Sequence, residues 1–450
     1  MTKDLTEGSC LKQILLFTAP LLVGNLLQQT YNLVDAAIVG RCLGTDALAA
    51  VGASSSVQFL VLGFCIGACA GFGIPIAQRF GAKDYSAMRS YIFHSILLTA
   101  LFAVILTSVC ALFCPNILHM MSTPEDIFSG AYRYLLIIFL GIPFTLLYNL
   151  EAAMLRAVGD SRTPFIFLAI STVTNIALDL LCILVFRWGV AGAAIATITA
   201  QALSGILCFF FIRKHHEILH IGPADCCFDR RCCLSALAMG APMGLQFSIT
   251  AIGSMIMQAA NNGLGSIYVS GFTAGARLKQ FTLCPFDALA TAVCTFCGQN
   301  LGAKRFDRIK QGIRVGVAVA LTYGIAIGLV LIFGGRILSM LFMSSSQVAV
   351  LDASAKYLRY MGCMYWMLGL LNVFRLAIQG LGYSGRAVFA GVIEMLARTF
   401  VSLVFVPLYG YTAICCADQV AWTTAVMYLI PMCLHLLKKV EREATKTTPK

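Results

Sequence analysis

The sequence predicts an all-α integral membrane protein with twelve transmembrane helices, in two six-helix lobes related by an internal parallel repeat. The first observation is composition. Of the 450 residues, 59% are hydrophobic and only 12% are charged, and the mean hydropathy is +0.85, whereas a soluble chain carries about 25% charge. The second is that the charges lie in short clusters between apolar runs of about twenty residues or more, the length that crosses a bilayer. The third is that the two halves of the chain repeat the same motifs.

The apolar runs divide the chain into twelve spans. These are 13–39, 48–77, 91–113, 131–153, 164–186, 190–212, 234–260, 267–298, 313–334, 357–382, 388–408 and 413–436. The first span opens after Lys12. It is too long for the apolar core of a signal peptide and lacks a small-residue cleavage site, so we expect it to remain as a helix.

The distribution of Lys and Arg predicts the topology. With the N-terminus in the cytoplasm, 22 of the 32 basic residues fall in inner loops and tails, six fall in outer loops and four lie at membrane depth. Cytoplasmic loops carry such an excess of basic residues. We therefore expect a multi-pass protein of the bacterial inner membrane with both termini in the cytoplasm. The formal net charge of +12 then faces an anionic leaflet, and no nucleic-acid partner is needed to explain it.

Repeated motifs divide the chain into two halves. The segment Gln78–Lys83 recurs as Gln299–Lys304, and Ala19-Pro20 recurs as Ala241-Pro242. Six spans per half is an even number, so both halves enter the membrane in the same sense. The predicted organisation is an N-terminal lobe (1–213), a cytoplasmic inter-lobe loop (214–232), a C-terminal lobe (233–437) and a cytoplasmic tail (438–450). Parallel repeats of this kind are common in secondary transporters, with the substrate site between the halves, so the architecture favours transport.

Five carboxylates lie inside the apolar runs: Asp35, Asp179, Asp287, Glu394 and, nearer the end of its span, Asp418. A charge at the bilayer centre costs about 3 kcal/mol even on insertion scales. Such residues therefore face a cavity or a partner, and each is a candidate for a functional role.

Span 1 presents a polar face. Asn25, Gln28, Asn32 and Asp35 are spaced by 3, 4 and 3 residues, which places them along one side of a helix. In span 5, Asn175 and Asp179 are four apart and also share a face.

Hydroxyl groups in span 6, Thr197 among them, complete a candidate site in the N-terminal lobe. Two carboxylates, an amide and a hydroxyl would form a hard oxygen site suited to Na⁺ or H⁺. Low dielectric and mutual repulsion would favour proton uptake by at least one of the two acids.

Several motifs resemble those of the multidrug and toxic compound extrusion (MATE) family. They are Gly-Ala-Lys after spans 2 and 8, Val34-Asp35, Asn175-x-x-x-Asp179 and Gly189-Val-Ala-Gly192-Ala. The resemblance covers essentially the full length, and it is greatest to the DinF-like and MepA-like bacterial and archaeal members. It implies an inner-membrane antiporter that exports organic drugs or metabolites, often cationic, against Na⁺ or H⁺ entry. It implies no cofactor, metal or obligate protein partner.

The resemblance also implies roles for individual residues. Asp35, Asn175, Asp179 and Thr197 match its cation-binding positions. Pro20 matches a proline proposed to bend span 1 when the acid is protonated. Tyr134 and Asn149 match positions linked to the cation network or to drug contact. With the residues of the C-terminal lobe considered below, we expect the substrate cavity to be lined by Gln28, Asn32, Tyr134, Asn149, Arg277, Lys279, Asn372 and Arg375.

The C-terminal lobe lacks the two acids of the N-terminal site. The repeat counterpart of Asp35 is Met257, and that of Asp179 falls near Phe400 to Ser402. Spans 7 and 10, which carry acids in family members that bind their cation in the second lobe, have none here. We therefore expect a single coupling site, in the N-terminal lobe.

The C-terminal lobe is instead rich in basic groups. Arg277 and Lys279 lie in the middle of span 8, Glu394 and Arg398 are four apart in span 11, and Arg375 in span 10 has no obvious partner. Glu394 and Arg398 are expected to pair. The surplus of positive charge has two interpretations: a cavity for a substrate with an anionic or zwitterionic part, or internal salt bridges that hold the lobe together.

The main alternative function is a flippase or exporter of a lipid-linked oligosaccharide or peptidoglycan precursor, on a related fold. Arg277, Lys279 and Arg375 favour it, whereas the acidic N-terminal site and the motif matches argue against it. No Gly-x-x-x-x-Gly-Lys-Ser/Thr phosphate loop is present, so direct use of ATP is excluded. An enzyme would need a constellation of catalytic groups in the membrane, and His94 in span 3 stands alone. We therefore expect no enzymatic activity.

Four cysteines lie close together in the inter-lobe loop: Cys226, Cys227, Cys232 and Cys233. Their spacing is not that of a zinc site. A cytoplasmic loop is a reducing environment, so we expect free thiols and no metal.

Overall fold

The computed structural model describes residues 3–121, 123–343 and 346–447 and consists of helices joined by short turns. Met1 and Thr2 of the predicted N-terminal lobe and the last three residues of the predicted tail, 448–450, lie outside the described residues. The helices are α1 (Cys10–Leu43), α2 (Thr45–Gly81), α3 (Tyr85–Leu112), α4 (Cys114–Met120), α5 (Glu125–Leu140), α6 (Ile142–Ala157), α7 (Arg162–Leu180), α8 (Val190–His215), α9 (Arg230–Asn262), α10 (Ser266–Gly302), α11 (Phe306–Ser339), α12 (Val348–Cys363), α13 (Tyr365–Gly380), α14 (Ser384–Phe400), α15 (Val406–Tyr409) and α16 (Tyr411–Thr447).

Ten helical segments of the described chain are long and apolar enough to cross a membrane, and two bent helix pairs bring the number to twelve if each pair is one span. The pairs are α5 with α6, bent by 45°, and α12 with α13, bent by 54°. They coincide with predicted spans 4 and 10. The prediction of an all-helical, multi-pass membrane protein is therefore confirmed, although spans 4 and 10 are broken rather than straight.

Backbone conformation repeats between the two halves. Glycines with positive φ begin or separate corresponding helices in each half: Gly44 and Gly265, Gly159 and Gly382, and Gly189 and Gly410. Lys83 and Lys304 adopt nearly the same positive φ, 58° and 57°. A π-helical turn follows α7 at Leu181–Val185 and α14 at Val401–Phe405. The motifs that repeat in the sequence therefore form the same turns twice.

The chain divides into two compact units. Unit 1 comprises residues 1–4 and 23–248, and unit 2 comprises residues 5–22 and 249–450. The division falls inside α1, two residues after Pro20, and inside α9, six residues after Pro242. Each of these helices is continuous through its proline, so one helix supplies segments to both units.

The inter-lobe loop is fixed to α3 in unit 1. Arg89 Nε donates to Asp225 Oδ2 at 2.8 Å, and the backbone N–H of Asp229 donates to His94 Nε2 at 2.9 Å. The Gly222 N–H and the Arg89 guanidinium hold the pKa of Asp225 below its ordinary value. His94 Nδ1 lies 2.7 Å from the Ser90 carbonyl oxygen. His94 therefore holds the loop through Nε2, while its Nδ1 contacts the backbone of its own helix.

Asp160 joins the turn before α7 to the end of α8. Its carboxylate accepts hydrogen bonds from the backbone of Arg162 and from the backbone and hydroxyl of Thr163, and it lies 3.4 Å from His216 Nε2. Burial alone would raise the pKa of Asp160, but the contacts with His216 and Thr163 hold it below its ordinary value. Asp160 therefore holds the turn before α7 against the end of α8.

Glycines allow helices α11 and α12 of unit 2 to touch. A Cβ atom on Gly328 would lie 2.5 Å from the carbonyl oxygen of Gly362, and one on Gly362 would lie 2.6 Å from that of Gly328. The neighbouring atoms are backbone, so the helices would have to separate. We expect Gly328→Ala to lower stability by about 1–3 kcal/mol, measured as a lower unfolding temperature of the purified protein.

Gly334→Ala is the matched control. Gly334 lies six residues further along the same helix, and no atom lies within 4 Å of the Cβ position. The same substitution there should be neutral or slightly stabilising, because Ala favours a helix over Gly by about 1 kcal/mol. Equal unfolding temperatures for the two variants would show that the close contact between α11 and α12 does not contribute to the stability of the protein.

Candidate functional site

The acids of the predicted N-terminal site meet inside unit 1. Asp35 of α1 and Asp179 of α7 lie within hydrogen-bonding range of each other through their carboxyl groups. Asp179 is fully buried and Asp35 is half-buried. Two carboxylates in direct contact repel each other, so this arrangement requires a proton or a cation between them.

Asn175 and Thr197 connect this pair of acids to α8. The Asn175 amide can hydrogen-bond both neighbours when its nitrogen faces Asp179. The nitrogen then donates to Asp179 Oδ2 at 2.8 Å, and the amide oxygen accepts from the Thr197 N–H at 3.0 Å. Asn175 is one turn before Asp179 on α7, so both side chains project from one face of that helix. The four residues predicted for the cation site are therefore neighbours in the structure.

Two further residues belong to this network. The Tyr31 hydroxyl lies 3.3 Å from Thr197 Oγ1, and Gln58 of α2 lies beside the buried Tyr134 hydroxyl. Tyr31 was detectable, because it precedes Asp35 by one turn on the polar face of span 1. Gln58 carried no comparable signal, since it lies between three serines and the apolar run of span 2.

One oxygen of each acid has no donor. Asp35 Oδ1 and Asp179 Oδ1 are buried and receive no hydrogen bond from any described residue. Burying an unsatisfied carboxylate oxygen is costly unless it is protonated or meets a cation. These two oxygens are the chemically open positions of the network.

The predicted cavity residues of unit 1 differ in their exposure and in their contacts. Gln28 and Asn32 are exposed on α1, and Tyr134 is buried within the network. Asn149 is half-buried, and its amide donates to the Thr145 carbonyl of its own helix at 2.8 Å. Asn149 therefore makes a local helix contact rather than a contact with the two acids.

Glu151 of α6 is a buried acid that the sequence reasoning missed. Its side chain is 2% exposed and lies beside the Cys208 thiol. In the sequence, Glu151 lies two residues from the end of predicted span 4, where its pattern resembles that of a loop residue. The turn that ends α6 lies several residues later, so Glu151 is inside the helix.

Unit 2 holds a continuous series of ion pairs. Arg375 Nη2 contacts Glu394 Oε1, Glu394 Oε2 lies 3.4 Å from Arg398 Nη2, and Arg398 Nε lies 2.9 Å from Asp418 Oδ1. Asp418 Oδ2 in turn contacts Lys279 Nζ. We call these five residues the charge ladder. The i,i+4 pairing of Glu394 with Arg398 is confirmed.

Arg375, for which the sequence offered no obvious partner, has one in the structure. Its guanidinium reaches Glu394 across the contact between α13 and α14, a contact that spacing within one helix does not reveal. Lys279 and Arg375, both predicted to line a cavity, are thus held by carboxylates, with 20% and 7% of their side-chain surface exposed. Arg277 is exposed and has no ion-pair partner among the described residues. Asn372 is buried and donates to Asp287 Oδ1 at 3.5 Å.

Ten to twelve apolar spans in the described residues, a repeated backbone and two intramembrane carboxylates in contact define this chain as a membrane transporter built from two repeats. The sequence matches the MatE family over residues 20–181 and again over residues 242–404, which is the internal repeat itself. The chain belongs to the MATE family of transporters.

Relatives and solved structures agree with this assignment. The chain is 31% identical to the "Probable multidrug resistance protein YpnP" of Bacillus subtilis over 91% of this chain and 89% of the relative. It is 31% identical to YoeA of the same organism, also named a probable multidrug resistance protein, over 76% of this chain and 75% of the relative. A structure described as the outward-facing conformation of a multidrug resistance MATE family transporter superposes with a TM-score of 0.92, at 20% identity, over 98% of this chain and 99% of that chain. The predicted fold and the absence of an enzymatic function are confirmed.

Proposed function

We propose that the protein is a secondary active antiporter that exports organic compounds, many of them cationic, in exchange for H⁺ or Na⁺. The observation that carries the proposal is the contact between Asp35 and Asp179, each with one buried oxygen that receives no hydrogen bond from the described residues. A proton or a small cation supplies what both oxygens lack. The relatives named for multidrug resistance support drug-like substrates.

Coupling needs the cation site to act on a moving element. Asp35 lies on the part of α1 that belongs to unit 1, whereas residues 10–22 of the same helix belong to unit 2. Pro20 lies two residues before this division and removes one backbone hydrogen bond from the helix. We propose that cation uptake at Asp35 changes the shape of α1 at Pro20, and that this couples ion entry to alternating access. Cation and substrate must bind the two access states with different affinities, or no coupling results.

Substrate contacts are proposed on exposed polar groups of each unit. Gln28 and Asn32 share the face of α1 that carries Asp35 and are exposed. Arg277 of α10 is exposed as well and would suit an anionic group of a substrate. The excess of basic residues in the predicted inner loops supports a cytoplasmic location for both termini, in a bacterial cell membrane.

The test uses purified protein in liposomes loaded with a fluorescent cationic dye, with a Na⁺ gradient and a proton gradient imposed separately. We expect one of the two gradients to drive dye movement against its own gradient, which would identify the coupling ion. Empty liposomes under the same gradients are the control for leakage. Dye movement that is independent of both gradients would contradict antiport and favour export of lipid-linked precursors.

A further inference from the structure

The charge ladder of unit 2 occupies the position in the repeat that the proposed cation site occupies in unit 1. Helices α2 and α10 each have 37 residues, and α5 and α12 each have 16, so their positions correspond without gaps. Gln58 and Thr197 of unit 1 correspond to Lys279 and Asp418 of unit 2, in each case 221 residues later. Tyr134 corresponds to Tyr357, 223 residues later.

The contacts correspond as well as the positions. In unit 1, Gln58 lies beside Tyr134, and Thr197 is held by Asn175 of α7. In unit 2, Lys279 and the Tyr357 hydroxyl both contact Asp418 Oδ2, the hydroxyl at 3.2 Å. Arg398, on the helix that corresponds to α7, contacts the other oxygen of Asp418 at 2.9 Å.

The chemistry of the two places is different. The network of unit 1 has two acids and, among the residues that the structure describes, no basic group. Unit 2 has an acid at the position of Thr197 and an ammonium group at the position of Gln58. The Lys279 ammonium also lies 5.1 Å from the centre of the Trp422 ring, a contact that favours a cation over a neutral group.

We infer that Asp418, Tyr357 and Trp422 form a cation-binding pocket in unit 2 and that the Lys279 ammonium is its permanent occupant. An ammonium is a compact monovalent charge on a flexible stem, so it takes the place of a mobile ion. Unit 2 therefore binds no coupling ion, and the protein uses one cation site per cycle. This last consequence rests on the proposed function, because it takes unit 1 as the coupling site.

Charge balance supports the assignment. Lys279, Arg375 and Arg398 face Glu394 and Asp418, and Asp287 lies within electrostatic range of Arg375. Three cations thus offset three acids. Removal of the Lys279 ammonium leaves one negative charge in excess, with Asp418 Oδ2 exposed to whatever cation can enter.

The test is chemical replacement of the ammonium. The variant Lys279→Ala is made in an Asp179→Asn background, so that unit 1 does not contribute a cation response. Unfolding temperatures are measured in detergent with sodium or methylammonium chloride and compared with choline chloride at equal ionic strength. We expect sodium or methylammonium to raise the unfolding temperature of the Lys279→Ala variant by about 2 °C or more, and to leave the background protein unchanged.

Two controls define the site. Arg277→Ala removes a neighbouring positive charge from the same helix, where no ion-pair partner is present among the described residues, and should produce no cation response. Lys279→Ala combined with Asp418→Asn should lose the response. If Lys279→Ala does not fold, Lys279→Gln, which restores the residue of unit 1, is measured instead with the same expected response.

The inference is overturned if the folded Lys279 variant responds to sodium and methylammonium no more than the background protein does. It is also overturned if the response persists in the Asp418→Asn combination. These outcomes are separate from the transport assay: a cation response at Lys279→Ala together with gradient-independent dye movement in the wild type would reject antiport and leave the pocket of unit 2 standing.

Discussion

Replacing Asp179 with Asn should abolish gradient-driven dye movement, with a loss of at least about 100-fold in initial rate. The carboxylate is fully buried, contacts Asp35 and accepts a hydrogen bond from Asn175. The amide has almost the same shape but cannot bind a proton or balance a cation. Asp35→Asn should have a comparable effect, because the two acids form one site. Liposomes with an imposed proton or Na⁺ gradient measure the rate.

Glu125→Gln is the matched control for these variants. Glu125 is an exposed acid at the start of α5, so the change removes one negative charge from unit 1 outside the network. It should leave transport unchanged. Retention of ion-driven export by both Asp35→Asn and Asp179→Asn would show that the coupling site lies elsewhere.

Replacing Glu394 with Gln should destabilise the protein more than any surface substitution. Its carboxylate contacts two guanidinium groups, those of Arg375 and Arg398, and all three side chains are at most 7% exposed. Removal of one member of a buried ion pair leaves an uncompensated charge and costs about 3–5 kcal/mol. We expect a strongly lowered unfolding temperature and a low yield of folded protein from the membrane.

Asp352→Asn provides the comparison for Glu394→Gln. Asp352 pairs with Arg336 at 3.5 Å, but both side chains are more than half exposed, and exposed pairs contribute about 0–1 kcal/mol. That variant should unfold within about 1 °C of the wild type. A similarly small effect for Glu394→Gln would show that water or lipid head groups screen the charge ladder.

Much of the fold followed from local pattern. The length of each apolar run, the charge clusters between runs and the glycines at turns depend only on neighbouring residues, and a helix in lipid must satisfy its backbone internally. The twelve predicted spans therefore match the helices and bent pairs. The bends at Gly141 and Met364 were not predicted. Pro143 in the first turn of α6 was a signal for the first bend, whereas no proline lies near Met364.

The sequence predicted which residues belong to the candidate site, but not which of them are in contact. Asp35 is separated from Asp179 by more than a hundred residues, and only the polar faces of spans 1 and 5 suggested that they meet. Glu151 escaped notice because it lies near the end of a predicted span. Gln58 escaped notice because one amide in a span has the same pattern whether it faces lipid, a neighbouring helix or a site.

The sequence by itself determined the membrane class, the positions of the apolar segments, the internal repeat and which intramembrane residues carry charge. These properties depend on composition and on periodicity within one helix. Only the tertiary structure decided which charges neutralise one another. Two ion pairs each join different helices: Arg375 with Glu394, 19 residues apart, and Lys279 with Asp418, 139 residues apart. Lys279 and Arg375, which belong to the basic surplus in the sequence, are therefore paired with carboxylates in the charge ladder. Ion pairing acts through space over a few ångströms, so its partners are fixed by helix packing and not by position along the chain.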